Sequence, residues 1–564
     1  MVPLPDREGE VAMNTTVINE AKHAPSPAAS PSTLTGTATL LRFMLRRDRI
    51  RTSAWVLGIG LMGFYFAHAI QIIAGSEQEL GSLAIMFTDP VGRMMVGPGF
   101  GMDAPTHERF FAAGYVLFIY ILVALMSVFT VVRHTRAEEQ TGRAELIRTN
   151  VVGRHATLTA TLILVTVANV IAAGIVWVAA LSADYSAEGS ALVAAGGLAV
   201  GLLFTGAAAV SAQLSESSRG ASAMAGGLIG LAYLIRMGGD AAEAGGTTVS
   251  WFSPLAWAQQ TAPYVEDRWW PLLLPAGFAI VLVALGYWLS TQRDVGASLL
   301  PTRLGRPEAA ASLGTPPGMA ARTLRGPLRG WGISLLLAGL MFGSFAQTMV
   351  DAADDLPAEM AQIFAGEDMM LGYLAYMALF MAVFVAAAGV SSIQQLKGEE
   401  NRGRAEYALS APLGRSTWLG AHLVVLLAGL VLILALVGAG MGLGAWASLE
   451  HDGGRYFGEL FLAAVAQIPA VLAVMGIVTA LFGWVPRLAG TVGWVIIGFA
   501  GVMTTFGGLL ELPEIVVDLN LFGHLAEYPV EDIAWAPVLW LSAIGVAGIL
   551  LGFMGWKRRE VNRV

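Results

Sequence analysis

EEQTGRAELIRTNVVGR, Glu138–Arg154, is a charged stretch of soluble character set directly behind a long apolar run. It returns as EENRGRAEYALSAPLGR at Glu399–Arg415. Glu138, Glu139, Gly142, Arg143, Ala144, Glu145, Gly153 and Arg154 recur in register as Glu399, Glu400, Gly403, Arg404, Ala405, Glu406, Gly414 and Arg415. The match extends outward. Val265–Glu266–Asp267 with Trp270 pairs with Val530–Glu531–Asp532 and Trp535, and Arg293–Asp294–Val295 pairs with Arg559–Glu560–Val561. The chain reads as an internal duplication, with one charged landmark in each copy.

Around these landmarks the sequence is apolar: 55% hydrophobic and 13% charged, against roughly 25% charged in soluble domains. Runs long enough to cross a bilayer lie near 52–74, 110–132, 156–181, 190–213, 221–238 and 269–290, then near 330–350, 370–393, 418–447, 457–482, 489–509 and 534–555. An even number per copy makes both copies enter from the same side, a parallel repeat about an axis along the membrane normal. The expected fold is an all-α polytopic membrane protein of about 12 transmembrane helices in two six-helix pseudo-repeats. The halves are 39–290 and 329–564, joined by a polar linker at 291–328. Residues 1–38, rich in Pro, Ala, Ser and Thr, read as a disordered tail without the apolar core of a signal peptide. Thr39–Arg51, TLLRFMLRRDRIR, interleaves apolar residues with arginines and suits the inner leaflet.

Charge sets the orientation. With the N-terminus inside, all but Arg93, Arg109, Arg236, Arg268 and Arg455 of the 33 lysines and arginines lie in the cytoplasm, the positive-inside asymmetry. Acids collect outside, at DAADDLPAEM (351–360), Glu511, Glu514 and Glu527–Asp532. Both termini and both charged landmarks are then cytoplasmic.

The chemistry that is missing narrows the function. Lys22, Lys397 and Lys557 are the only lysines, and none closes a Gly-rich phosphate loop. Ion-driven carriers place titratable groups inside their spans; here His68 and His422 are the candidates, with Arg236 toward an outer end. The sequence has no cysteine, which excludes disulfides and thiolate metal sites. Transport architecture without a motor leaves the two charged turns as the place where energy enters. Gly142 and Gly403 break the helix behind each span. Arg143 and Glu145 lie on different faces of a short helix and are free to pair with a partner. An ion-coupled secondary multidrug transporter is the alternative, and a membrane-embedded enzyme would need an interfacial His, Asp or Ser cluster that the sequence does not offer.

Two six-span halves, a basic segment before the first span and the E-E-x-x-G-R-A-E turn after the second resemble the type-V fold of ABC exporters. The nearest group is the double-length permeases described as exporters of polyketide antibiotics and other drugs in actinobacteria. The resemblance covers residues 36–564. It implies a separately encoded ABC ATPase, two copies carrying ATP and Mg, with no cofactor in this chain and no nucleic acid. The coupling helices would be 138–154 and 399–415, carrying Glu138, Glu139, Gly142, Arg143, Glu145 and Arg154 and their twins Glu399, Glu400, Gly403, Arg404, Glu406 and Arg415. It also implies exit-capping loops at 239–268 and 510–533, whose Trp251, Phe252, Trp257, Trp269, Trp270 and Phe522 suit a headgroup belt. Small amphipathic substrates would pass between the halves, in a bacterial cytoplasmic membrane. Phe64, Phe118, Tyr120, Phe380, Met381 and Phe384 are the expected apolar lining, with His68 and Gln347 as polar handles.

Overall fold

The computed structural model describes residues 32–88, 90–294, 296–300, 307–347, 369–449, 453–506 and 513–559. The acidic loop at 351–360, Glu511 and Glu560–Val561 fall outside them, as do residues 1–31 of the expected tail. Among the described residues the chain is all-helical.

The first half opens with α1 (Thr37–Arg47), α2 (Arg49–Ile73), α3 (Glu77–Thr88), α4 (Pro90–Val96) and α5 (His107–Gly114). Next, α6 (Val116–His134) runs into α7 (Arg136–Gln140), and α8 (Arg143–Arg148) follows Gly142. α9 (Ala156–Ser182), α10 (Ala187–Leu214), α11 (Ser218–Ala242), α12 (Pro254–Gln259) and α13 (Leu273–Thr291) complete it. The second half comprises α14 (Pro316–Ser344), α15 (Met369–Asn401), α16 (Arg404–Leu409), α17 (Arg415–Ser448) and α18 (Gly453–Ala466). It ends with α19 (Ile468–Trp484), α20 (Pro486–Phe506), α21 (Glu514–Val517) and α22 (Trp535–Arg558).

Eleven helices are long and apolar enough to cross a membrane, and they coincide with all the expected runs but one. The exception is α14, whose first half carries Arg322, Arg325 and Arg329 and dilutes its hydropathy. Its apolar second half still packs lengthwise on α17, in the seventh span's place. One span is bent: α18 and α19 meet at Gln467, just before Pro469, which cannot donate to the helix ladder. The fifth span is longer than expected, running to Ala242 and so carrying Asp240. The linker is also shorter, because α14 starts at Pro316. Residues 33–35 are not loose: Gly153 N and His155 N donate to the carbonyls of Thr35 and Thr33, both at 2.9 Å.

Each half has its own core, Val56, Leu117 and Phe204 among the first half's residues and Leu426, Val478 and Phe482 among the second's. In lipid, helices associate through close backbone approach at small residues rather than by hiding apolar surface from water. α19 and α22 show this directly. A Cβ on Gly476 would lie 2.4 Å from the carbonyl oxygen of Gly545, and one on Gly483 would lie 2.2 Å from that of Gly552. α14 and α17 meet the same way, through Gly343 and Gly444. Gly552→Val is therefore expected to force α19 and α22 apart and destabilise the second half by about 1–3 kcal/mol, read as a lowered thermal unfolding midpoint in detergent. An unchanged midpoint would mean the backbone contact is not limiting. Among the described residues no helix of the first half packs lengthwise on one of the second, although Met95 of α4 packs against the second half's core.

Candidate functional site

Both charged turns are built on a left-handed glycine. Gly142 has φ 72° and Gly403 φ 70°, a conformation that other residues adopt only at a cost. Each glycine turns the chain sharply from the end of its long helix into a short one, α8 or α16.

Three of the acids before the glycines, Glu138, Glu139 and Glu400, turn inward and hold the turns to the protein's own helices. Glu139 takes a bidentate pair from Arg293, at 2.7 and 2.9 Å, and a third bond from Arg136. In the second half Glu400 takes Arg559 at 2.7 Å. Arg293 and Arg559 follow the last span of each half, so two sequence-matched pairs perform the same latching. The repeat's final arginines complete it. Arg154 donates to the carbonyls of Ser290 and Thr291, at 3.3 and 2.8 Å, and Arg415 to that of Arg559, at 2.7 Å. Arg559 also lies over the rings of Trp556 and Phe482, at 4.6 and 5.1 Å, a favourable site for a guanidinium.

Glu138 is likewise internal. It is buried and sits 3.0 Å from Arg47 at the end of α1, and 3.6 Å from Arg143. Asp48, between α1 and α2, accepts two bonds from Arg133 at 2.7 and 2.9 Å and lies 2.9 Å from His134 Nε2. Those Arg133 bonds, helped by the charges of His134 and Arg47, hold the Asp48 carboxyl below its ordinary range despite burial. Glu399 pairs with Arg404 at the surface. What remains outward is a matched set on the short helices: Arg143, Glu145 and Leu146, and Arg404, Glu406 and Tyr407. Leu146 is 70% and Tyr407 85% exposed, and neither drew attention in the sequence, where only the charges stood out.

The expected cavity residues divide into two groups. Tyr120 and Met381 are buried in their own halves. The Tyr120 hydroxyl donates to the Val193 carbonyl, and its ring fills the space left by Gly196 and Gly197; it also borders a small enclosed space beside Phe100, Val116 and Gln259. Phe64 and His68 form a partly exposed stack with centroids 4.1 Å apart. Phe380 and Phe384 share one face of α15, edge to face at 5.2 Å, while Phe118 and Gln347 are half-buried. His422 is buried against Trp418 and bonds its carbonyl. Of the aromatics set aside for a headgroup belt, Phe252, Trp269 and Trp270 are exposed, whereas Trp257 and Phe522 are buried. Trp251 stacks on Trp270 at 5.2 Å.

Two helical halves, each with its own core, its own set of membrane-length helices and a latched polar turn, define a multi-pass membrane permease. A family model described as the C-terminal domain of the multidrug efflux system permease Rv1217c matches residues 313–557. Over 559 residues the chain is 36% identical to the multidrug efflux system permease protein Rv1217c of Mycobacterium tuberculosis (strain ATCC 25618 / H37Rv), across 98% of this chain and 100% of that relative. The chain belongs to this family of multidrug efflux permeases.

Proposed function

We propose that this chain is the permease subunit of an ATP-driven exporter that moves amphipathic compounds out of the cell, with both termini cytoplasmic. A separate ATPase, in two copies with bound ATP and Mg, docks on α8 and α16. The duplicated latch carries this reading: a turn fixed to the last span of its half by Glu139–Arg293 or Glu400–Arg559 passes a push on the turn into the membrane helices. Closure of the ATPase pair then favours one arrangement of the halves through differential contact in the two states. The exposed apolar positions Leu146 and Tyr407, flanked by charges of both signs, are the docking surface. Leu146→Asp with Tyr407→Asp is expected to abolish co-purification of the ATPase and return drug efflux to background. The unfolding midpoint should stay within about 0.5 kcal/mol of the parent, as for other exposed positions. Full ATPase recovery with normal efflux would overturn the docking assignment. Efflux that ignored the ATPase and collapsed with a protonophore would favour an ion-coupled carrier.

A further inference from the structure

Four arginines line one open pocket where the two halves approach each other. Arg51 of α2, Arg133 of α6 and Arg219 in the first turn of α11 come from the first half; Arg402, from the turn before Gly403, comes from the second. Together with Phe129 and Val132 they line one cleft of 490 Å³. Arg133 is held by Asp48. Of the neighbouring carboxylates, Glu138 pairs with Arg47, Glu139 with Arg293, Glu399 with Arg404 and Glu400 with Arg559, while Glu216 lines the adjacent pocket beside Arg136 and Glu139. Among the described residues, no carboxylate lines the cleft, and no hydrogen bond or ion pair engages the side chains of Arg51, Arg219 or Arg402. Topology alone needs arginines on this side of the membrane. It does not need three uncompensated ones facing a single space from both halves, where they repel one another.

The pocket also has an apolar continuation. α6 is otherwise largely buried, but Phe129, Leu125, Leu122 and Phe118 remain partly exposed along one helical face. That face leads away from the arginines into the span. A charged end beside an apolar stripe has the shape of an amphiphile.

We propose that this pocket seats the anionic head of an amphiphilic cargo, a carboxylate, phosphate or sulfate, with its apolar body along the Phe129–Phe118 face. The inference rests on the export reading and narrows its substrate class. Cargo seated this way bridges Arg219 and Arg402, and so the two halves, before they rock.

The test uses the full-length permease in phosphatidylcholine nanodiscs, with dansyl-labelled undecanoic acid and its uncharged amide as probes. The acid is expected to bind at least about tenfold more tightly than the amide, with the advantage shrinking as salt rises. Arg219→Gln with Arg402→Gln should bring the acid down to the amide's level and leave the amide unchanged. A thermal unfolding midpoint checks that the variant is folded, and the salt series on the parent protein decides the matter if it is not. Equal binding of the two probes, or an acid advantage that survives in the double variant, overturns the proposal. So does loss of the advantage when phosphatidylglycerol makes up a third of the lipid, because the arginines would then hold a resident lipid headgroup. Binding is read on the permease alone, so efflux that proved indifferent to the ATPase would defeat the export reading without deciding this one.

Discussion

Asp240→Ala is expected to destabilise the first half by about 3–5 kcal/mol, the typical result of stripping one partner from a buried ion pair. Arg236 and Asp240 are both fully buried, one helical turn apart on α11, with Arg236 Nη1 3.0 Å from Asp240 Oδ2. The pair ties down much of the α4–α11 end of the first half. Arg236 also donates to the carbonyls of Arg93, Met94 and Met95, so it anchors α4. Arg93 donates in turn to the carbonyls of Asp240 and Ala241, both at 2.9 Å. Ser250 Oγ, from the following loop, donates to Asp240 Oδ1 at 2.6 Å. Without the carboxylate, two buried guanidiniums remain beside each other with no acid between them. The expected observations are poor accumulation in membranes and a sharply lowered unfolding midpoint, with Asp240→Asn intermediate because it keeps one acceptor for Ser250. A midpoint within experimental scatter of the parent protein would show that this network does not clamp that end.

That network also marks where sequence reading ran out. The stretch after Met237, GGDAAEAGG, is short-chained and polar, so the sequence ends the fifth span at 238 and places Asp240 in a loop. Only the three-dimensional approach of α4 shows that the helix continues and that its acid is buried. The spans themselves are legible because a bilayer demands about 20 apolar residues whatever the tertiary contacts, and the exception, α14, is the helix that carries three arginines just before its apolar run. Sequence does not fix the burial of Tyr120 and Met381 for a related reason: in a helix bundle an aromatic or a Met serves a core and a cavity equally well, and burial is settled by the neighbouring helices. The acids of the charged turns were found by their recurrence, but recurrence does not say which way they point. The missing signal was in plain view. Arg293 and Arg559 recur in the same repeat, and a duplicated acid together with a duplicated base is what two copies of one ion pair leave in a sequence.

Glu139→Gln combined with Glu400→Gln is accordingly expected to uncouple the transporter rather than undock its motor. Each substitution keeps the side chain's shape but turns a charge-assisted fork into a neutral contact; hydrogen bonds to charged groups are worth about 1.5–3 kcal/mol. At that magnitude the ratio of latched to unlatched turn falls roughly tenfold or more. The docking positions Leu146 and Tyr407 lie on the outward side of the same turns, so the ATPase should still co-purify and still hydrolyse ATP. Its work would be dissipated in a turn held to α13 or α22 only through Arg154 or Arg415. Efflux should drop about tenfold, and stimulation of hydrolysis by transported compounds should vanish. Glu399→Gln is the internal control, since its pair with Arg404 is at the surface and such pairs contribute at most about 1 kcal/mol. Loss of ATPase binding in the double variant would return Glu139 and Glu400 to the docking surface, and undiminished efflux would remove the latch from the force path. The latch needs both halves. Either single variant leaves one turn connected, so intermediate efflux from each, with the double below both, distinguishes two parallel transmission points from a single essential one.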